Sequence, residues 1–194
     1  MTRLIFDAKK NRREQPDHKT KPRLMDELVK QSLTKWPNVP HCYGWLALDA
    51  RGAFRMRDET AQAAHQPGDI IRHESLLAFI YRNYDCDSRG AWYFQNGPQR
   101  VYVELENTPL ICRVTPAGEV SAHTGQTLSV QGVWTDERGH VYVHTPMGVG
   151  LVHSLDVIHA AEQIDQGLWV LQTLQSQELE RRFGFCRSPQ AWAA

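Results

Sequence analysis

An α+β fold, built as two small antiparallel β units of hairpins and a meander, each packed with a helix, is predicted by three features of the sequence. Val101, Val103 and Leu105 alternate with Arg100, Tyr102 and Glu104, the period-two pattern of a strand with one buried face. Before it, Leu77, Ile80, Tyr81 and Tyr84 fall at i, i+3, i+4 and i+7, with Leu76 and Phe79 widening the stripe, which is the period of an amphipathic helix within 71–84. One turn signal is written three times: Asp49-Ala50-Arg51-Gly52, Asp87-Ser88-Arg89-Gly90 and Asp136-Glu137-Arg138-Gly139, each leading into an aromatic-bearing strand. Aspartate in first place accepts backbone hydrogen bonds and glycine in fourth takes positive φ, so these are β-turns. Three Asp/Arg pairs converging on a ligand would be a functional alternative, but turn chemistry alone accounts for them.

The elements follow in order. Residues 1–22 mix Lys, Arg, Asn, Gln and Pro with few apolar side chains and read as a flexible basic tail. A phosphate-binding arm would need a folded basic face beside it, which the sequence does not display. Met25, Leu28, Val29, Leu33 and Trp36 mark one face of a helix over about 24–35 that Pro37 ends. A strand follows at 44–48, then a polar, alanine-rich connection over 58–68 with room for a short helical turn. Asn96-Gly97 and Asn107-Thr108-Pro109 are turn signals, so 90–114 reads as three consecutive strands with the valines pointing inward. Thr115-Pro116-Ala117-Gly118 is a further turn. Strands are expected at 128–135, 140–145 and 149–153, and then a helix capped by Ser154 that carries Leu155, Ile158 and Ala161 inward. Residues 168–174 fit strand or helix, and 177–183 fit a helix. The domain reading is a tail (1–22), an N-terminal α+β unit (23–116), a second β unit with its helix (117–166) and a C-terminal extension (167–194).

The 194 residues, 41% of them hydrophobic, suffice to bury a core. Lys plus Arg and Asp plus Glu are equal at 22 each, which excludes a whole-molecule electrostatic argument for nucleic acid or for an acidic membrane surface. Residues 1–24 hold eight basic against three acidic residues, a net of +5, so the remainder carries −5. Cys42, Cys86, Cys112 and Cys186 are scattered without a CxxC pair and suit a reducing compartment. No apolar run reaches the ~18 residues of a membrane span. A cytoplasmic protein of bacterial type is expected.

The order Gly44-Trp45, Asp49, Phe54, Ile71-Arg72, Leu76-Leu77, Phe79-Ile80, Gly90, Trp92-Tyr93, Val101, Val103, Glu106 and Pro109-Leu110 resembles a bacterial family, domain of unknown function twelve-eighty-five, or a relative sharing its architecture. In that family a strand pair leads into a helix, then into a tract of glycine, aromatic pair, spaced valines and acidic-x-proline, and a second β half follows. The likeness covers about two thirds of the chain. The chain departs from the pattern in its longer 58–68 connection, in His73 where a proline is expected after the arginine, and in its end beyond Gly167. The resemblance implies an α+β fold and carries no assigned activity.

Spacing decides among candidate chemistries. His140 and His144 share a strand face but stand ~13 Å apart by strand rise, too far for one zinc ion. No Cys/His set has ligand spacing, so no metal and no cofactor is implied. Ser75 and His73 diverge on a helix, and Gly148-Val149-Gly150 lacks the remainder of a phosphate loop. Glu104 and Glu106 share a strand face ~7 Å apart, a spacing compatible with paired carboxylates, although exposed strand glutamates are commonplace. What remains is a surface. Arg72, Arg82, Trp92, Arg100 and Tyr102 would form an aromatic and basic binding patch if the helix crosses the polar side of the central strands. The function this favours is a non-catalytic ligand- or protein-binding, regulatory module for a small anionic ligand or a protein partner, self-associating through an exposed strand edge, with nucleic acid and membrane disfavoured. The alternative is a small hydrolase using Glu104 or a histidine in a pocket between the two β units.

Overall fold

The structure is a computed structural model and describes residues 27–36 and 38–192, so the basic tail over 1–22 lies outside it. Its most local features are the Asp-x-Arg-Gly turns. In each, the aspartate Oδ1 accepts from the backbone N–H groups two and four residues on: Arg51 and Ala53 to Asp49 at 3.0 and 2.9 Å, Arg89 and Ala91 to Asp87 at 2.9 and 3.0 Å, and Arg138 and His140 to Asp136 at 2.9 Å. The closing glycines Gly52, Gly90 and Gly139 hold φ of +82°, +81° and +79°, where a Cβ would be strained.

These turns close hairpins in two sheets. The first runs in the order β3 (Asp69–Ile70), β2 (Phe54–Met56), β1 (Cys42–Leu48), β6 (Gln99–Leu105), β5 (Trp92–Asn96), β4 (Tyr84–Cys86). The second runs β13 (Leu171–Thr173), β10 (Gly132–Thr135), β11 (Val141–Thr145), β12 (Gly148–Val152), β7 (Leu110–Val114), β8 (Val120–Ala122), β9 (Thr127–Leu128). Five α-helices accompany them among the described residues: α1 (Glu27–Lys35), α2 (Glu59–Ala63), α3 (Glu74–Arg82), α4 (Val157–Asp165) and α5 (Leu179–Phe183). The α+β class holds. Both sheets are mixed, however, with β1 parallel to β6, β7 to β12 and β10 to β13, which corrects the expectation of antiparallel units alone.

The tract over 90–114 is not one meander. β5 and β6 pair antiparallel, but β7 leaves for the second sheet, so the sheets divide between β6 and β7 rather than near residue 116. Leu110, Ile111 and Cys112 are all buried. A strand apolar on both faces needs neighbours on both edges and cover on both sides, and β7 finds them between β12 and β8. The Thr108 hydroxyl pins the crossing by donating to the Leu110 carbonyl at 2.7 Å and accepting from Leu151 N–H at 2.8 Å. One hydrophobic cluster, with Leu46, Phe54 and Val103 from the first sheet and Ile111, Val143 and Leu151 from the second, spans both.

α3 covers the apolar face of the first sheet, where Phe79 meets Phe94 edge-on at 5.3 Å and Ile80 is buried. It is shorter than 71–84. His73 caps its start, Nδ1 accepting from Leu76 N–H at 3.3 Å, and Tyr84 already belongs to β4. α4 begins at Val157, not after Ser154. The Asp156 carboxylate is drawn to Arg113 and to Val114 N–H, which starts the helix later and turns Ala160 and Gln163 inward. Leu155 and Ile158 are left 73% and 61% exposed, against the expectation. α1 buries Val29 but exposes Leu28, and Trp36, just past its end, is exposed too. Among the described residues no helix is long and apolar enough to cross a membrane.

Candidate functional site

Strand alternation separates the five residues expected to form one patch. Trp92 and Phe94 point to the core face of the first sheet; Trp92 is 4% exposed, its ring 4.8 Å from that of Tyr84. Tyr93, between them, points the other way and pairs with Tyr102. The apolar face with Phe94, Val101 and Val103 is the one that α3 must cover, so the helix packs opposite Tyr102. Arg82, in its last turn with the guanidinium 6.0 Å from the Phe79 ring, and Arg72, in the loop leading to it, therefore do not join Arg100 and Tyr102. The structure brings together only these two.

Around them the outer face has its own order. Tyr43 stacks on Tyr102 with centroids 4.7 Å apart and planes 4° from parallel, and the Arg100 guanidinium lies 4.4 Å over the Tyr93 ring. Tyr102 is 1% exposed, and its hydroxyl donates to Asp87 Oδ2 at 3.0 Å. Arg89 also reaches Asp87 Oδ2, at 3.2 Å, while its guanidinium sits 4.2 Å over Trp192. Burial, then the charges of Arg100 and Arg89, hold the His41 pKa below its ordinary value, against the pull of Asp87.

A C-terminal strap crosses this face. Cys186 pairs with Ala91 in an isolated parallel bridge, and Leu105 N–H donates to the Arg187 carbonyl at 2.8 Å. Glu104 accepts from Ser188 Oγ at 2.6 Å and from Gln190 N–H at 2.9 Å, while Glu106 accepts from Ala50 N–H at 2.9 Å. Both oxygens of Glu104 anchor the strap. The thiols are poor nucleophiles: burial, joined by Asp87 and Asp85, pushes Cys86 up to about 12, and burial pushes Cys112 to about 12.

A polar cleft of about 180 Å³ opens where Glu106 and Asn107, at the crossing between the sheets, meet the β10–β11 hairpin and Arg187. Asp136 uses Oδ1 for its turn and Oδ2 for two side chains, the Tyr142 hydroxyl at 2.8 Å and His140 Nδ1 at 2.9 Å. Burial alone would raise its pKa, but these donors and the turn N–H groups outweigh burial and keep it low. Glu137 accepts from Ser176 at both oxygens, through the hydroxyl and the N–H. Arg187 is tethered by Nε to the Asn107 carbonyl at 3.0 Å and has no carboxylate within 4 Å among the described residues. Arg138 has only a long, exposed contact of 3.7 Å to Glu137. Among the described residues no group of three or more His, Cys, Asp or Glu side chains could hold a metal ion.

The family described as Protein of unknown function (DUF2946) matches residues 25–190. The chain belongs to this family. Solved structures similar to this DUF2946 chain include a DUF1285 family protein from Silicibacter pomeroyi, at 12% identity over 72% of this chain and 85% of that one with a TM-score of 0.46. Another is a DUF1285 family protein from Shewanella baltica, at 15% identity over 61% and 91% with a TM-score of 0.41. DUF1285 is the twelve-eighty-five family of the sequence resemblance. No curated protein matches the chain.

Sequence reasoning on this DUF2946 chain missed the cleft because its parts are distant in sequence. Asn107, the 136–142 hairpin, Ser176 and Arg187 meet only through sheet pairing. The one local signal was Asp136 with His140 and Tyr142, four and six residues on, which alternate onto the same strand face.

Proposed function

We propose that this protein is a non-catalytic binding module that takes a small, acceptor-rich anion into the cleft beside Arg138 and Arg187. One observation carries the reading: the carboxylates of Asp136 and Glu137 are already occupied by protein donors, while the guanidinium groups of Arg138 and Arg187 keep N–H groups unused. Spare guanidinium donors suit a phosphate or carboxylate group, which arginine holds through paired charge-assisted bonds. His140 adds to this, since Asp136 holds its Nδ1 and turns Nε2 outward.

The Asp136–His140 pair also favours a second reading, because an imidazole oriented by a carboxylate is what a general base requires. The Ser176 hydroxyl donates to Glu137, so a hydrolase at this site would use His140 to activate water. Thermal unfolding with increasing inorganic phosphate tests both. Phosphate should raise the melting temperature in proportion to the logarithm of its concentration above Kd, by about 2.7 kcal/mol of stability at a hundredfold excess over Kd, and the Arg138→Gln/Arg187→Gln protein should lose the shift. An equal shift in that variant, or none in the wild type, overturns the binding site. Turnover of a phosphomonoester or carboxylic ester that His140→Gln abolishes overturns the non-catalytic reading.

A further inference from the structure

On the other side of the strap, a second cavity of about 240 Å³ lies between the outer face of β1 and β6 and the loop joining α2 to β3. Arg57 lines it and is 8% exposed. Its Nε donates to the Gln66 carbonyl at 3.1 Å and its Nη1 reaches Gln190 Oε1 at 3.5 Å. Nη2 has no partner, and no carboxylate comes within 4 Å of the guanidinium, among the described residues. The charge of Arg55 is matched by Asp49 at 2.9 Å; that of Arg57 is not. A buried cation held only by neutral carbonyls is costly unless an anion completes it.

A second observation falls on the same cavity. His65, in its wall, has φ +52°, the one positive value outside glycine among the described residues. It follows the end of α2, with its N–H bonded to the Gln62 carbonyl at 3.2 Å and Gln66 N–H to the Ala61 carbonyl at 2.8 Å. That is the helix-ending position where glycine fits without strain. Glycine would end the helix there as well, whereas an imidazole on the cavity wall can also donate to an anion.

The remaining walls set the ligand's character. Ala47 on the outer face of β1 and Pro67 in the loop are apolar, which gives a short hydrocarbon body a surface to lie against. The carboxylates of Asp49, Glu104 and Glu106 also border the space; they disfavour a second negative charge and with it inorganic phosphate. We infer that this cavity binds a monoanionic organic acid, its carboxylate on Arg57 and its short aliphatic body against the apolar wall. The site shares only Glu106 with the lining of the anion cleft.

Hexanoate is a suitable probe, titrated into the full chain by calorimetry and by thermal unfolding. Wild type and Arg187→Gln should bind it saturably at one site. Arg57→Gln should bind about tenfold more weakly or worse, as expected when a charge-assisted hydrogen bond is lost. Ala47→Leu keeps Arg57 and fills the space, and should also weaken binding, so the inference stays testable if Arg57→Gln folds poorly. His65→Gly should raise the melting temperature of the unliganded protein while weakening hexanoate binding. The inference is overturned if the wild type shows no saturable binding, if Ala47→Leu binds as the wild type does, or if phosphate competes with hexanoate. Phosphate stabilisation that persists in Arg57→Gln and vanishes in Arg138→Gln/Arg187→Gln supports the separation of the two sites, so either site can fail alone.

Discussion

Asp49, Asp87 and Asp136 each divide one carboxylate between a turn and a side chain. Oδ1 closes the turn, while Oδ2 takes Arg55, Tyr102 or Tyr142 from a strand of the same sheet. The turns were legible because their partners lie within five residues; what Oδ2 would reach was not, because it depends on which strand side chain turns to the same face. The closing glycines differ in a way no sequence shows. A Cβ on Gly90 would stand 2.2 Å from the Gly184 carbonyl oxygen, whereas one on Gly139 meets nothing within 4 Å. Gly139→Ala should therefore cost only backbone strain, about 1 kcal/mol. Gly90→Ala should cost about 2–4 kcal/mol, because the strap must also move. Denaturant midpoints of the two variants check this; equal losses would show that the strap does not bear on Gly90.

Among the elements, α4 and β7 are joined through Asp156. It accepts from the Arg113 guanidinium, at 3.1 Å to Nη2, and from Val114 N–H at 3.1 Å. The arginine foremost, against burial and with help from the N–H, holds its pKa below the usual carboxylate value of 3.8. With the folded pKa depressed, the unfolded chain binds the proton first. The stabilisation is present above about pH 4 and is lost as pH falls through the folded value. Asp156→Asn should lose about 1–3 kcal/mol at neutral pH and show a shallower decline in urea midpoint from pH 5 to 3 than the wild type. Parallel declines would remove Asp156 from the acid response. The helix itself was legible from its period, but its start and inward face were not, because Ser154 looks like a cap until Arg113 claims the next aspartate.

For the whole molecule, the strap over 184–192 decides which parts of the outer face remain open, and Glu104 is its main anchor. Glu104→Ala should speed tryptic cleavage at Arg187 at least severalfold while leaving circular dichroism unchanged, since local opening is governed by the few contacts that hold a segment. Unchanged cleavage would mean that the backbone pairing at Ala91 and Leu105 suffices. By itself the sequence determined the class of fold, the turns, the periods of α3 and of most strands, and the inward valines, because each is set by chain neighbours and by burial of one face. Only the tertiary structure decided that β1 and β6 run parallel, that β7 joins the second sheet, and that Arg100 and Tyr102 part from Trp92. Only there do Arg187 and Arg57 come to line separate cavities. Those outcomes depend on pairings between residues far apart in the chain, whose free energies come from shared burial and leave no local periodicity to read.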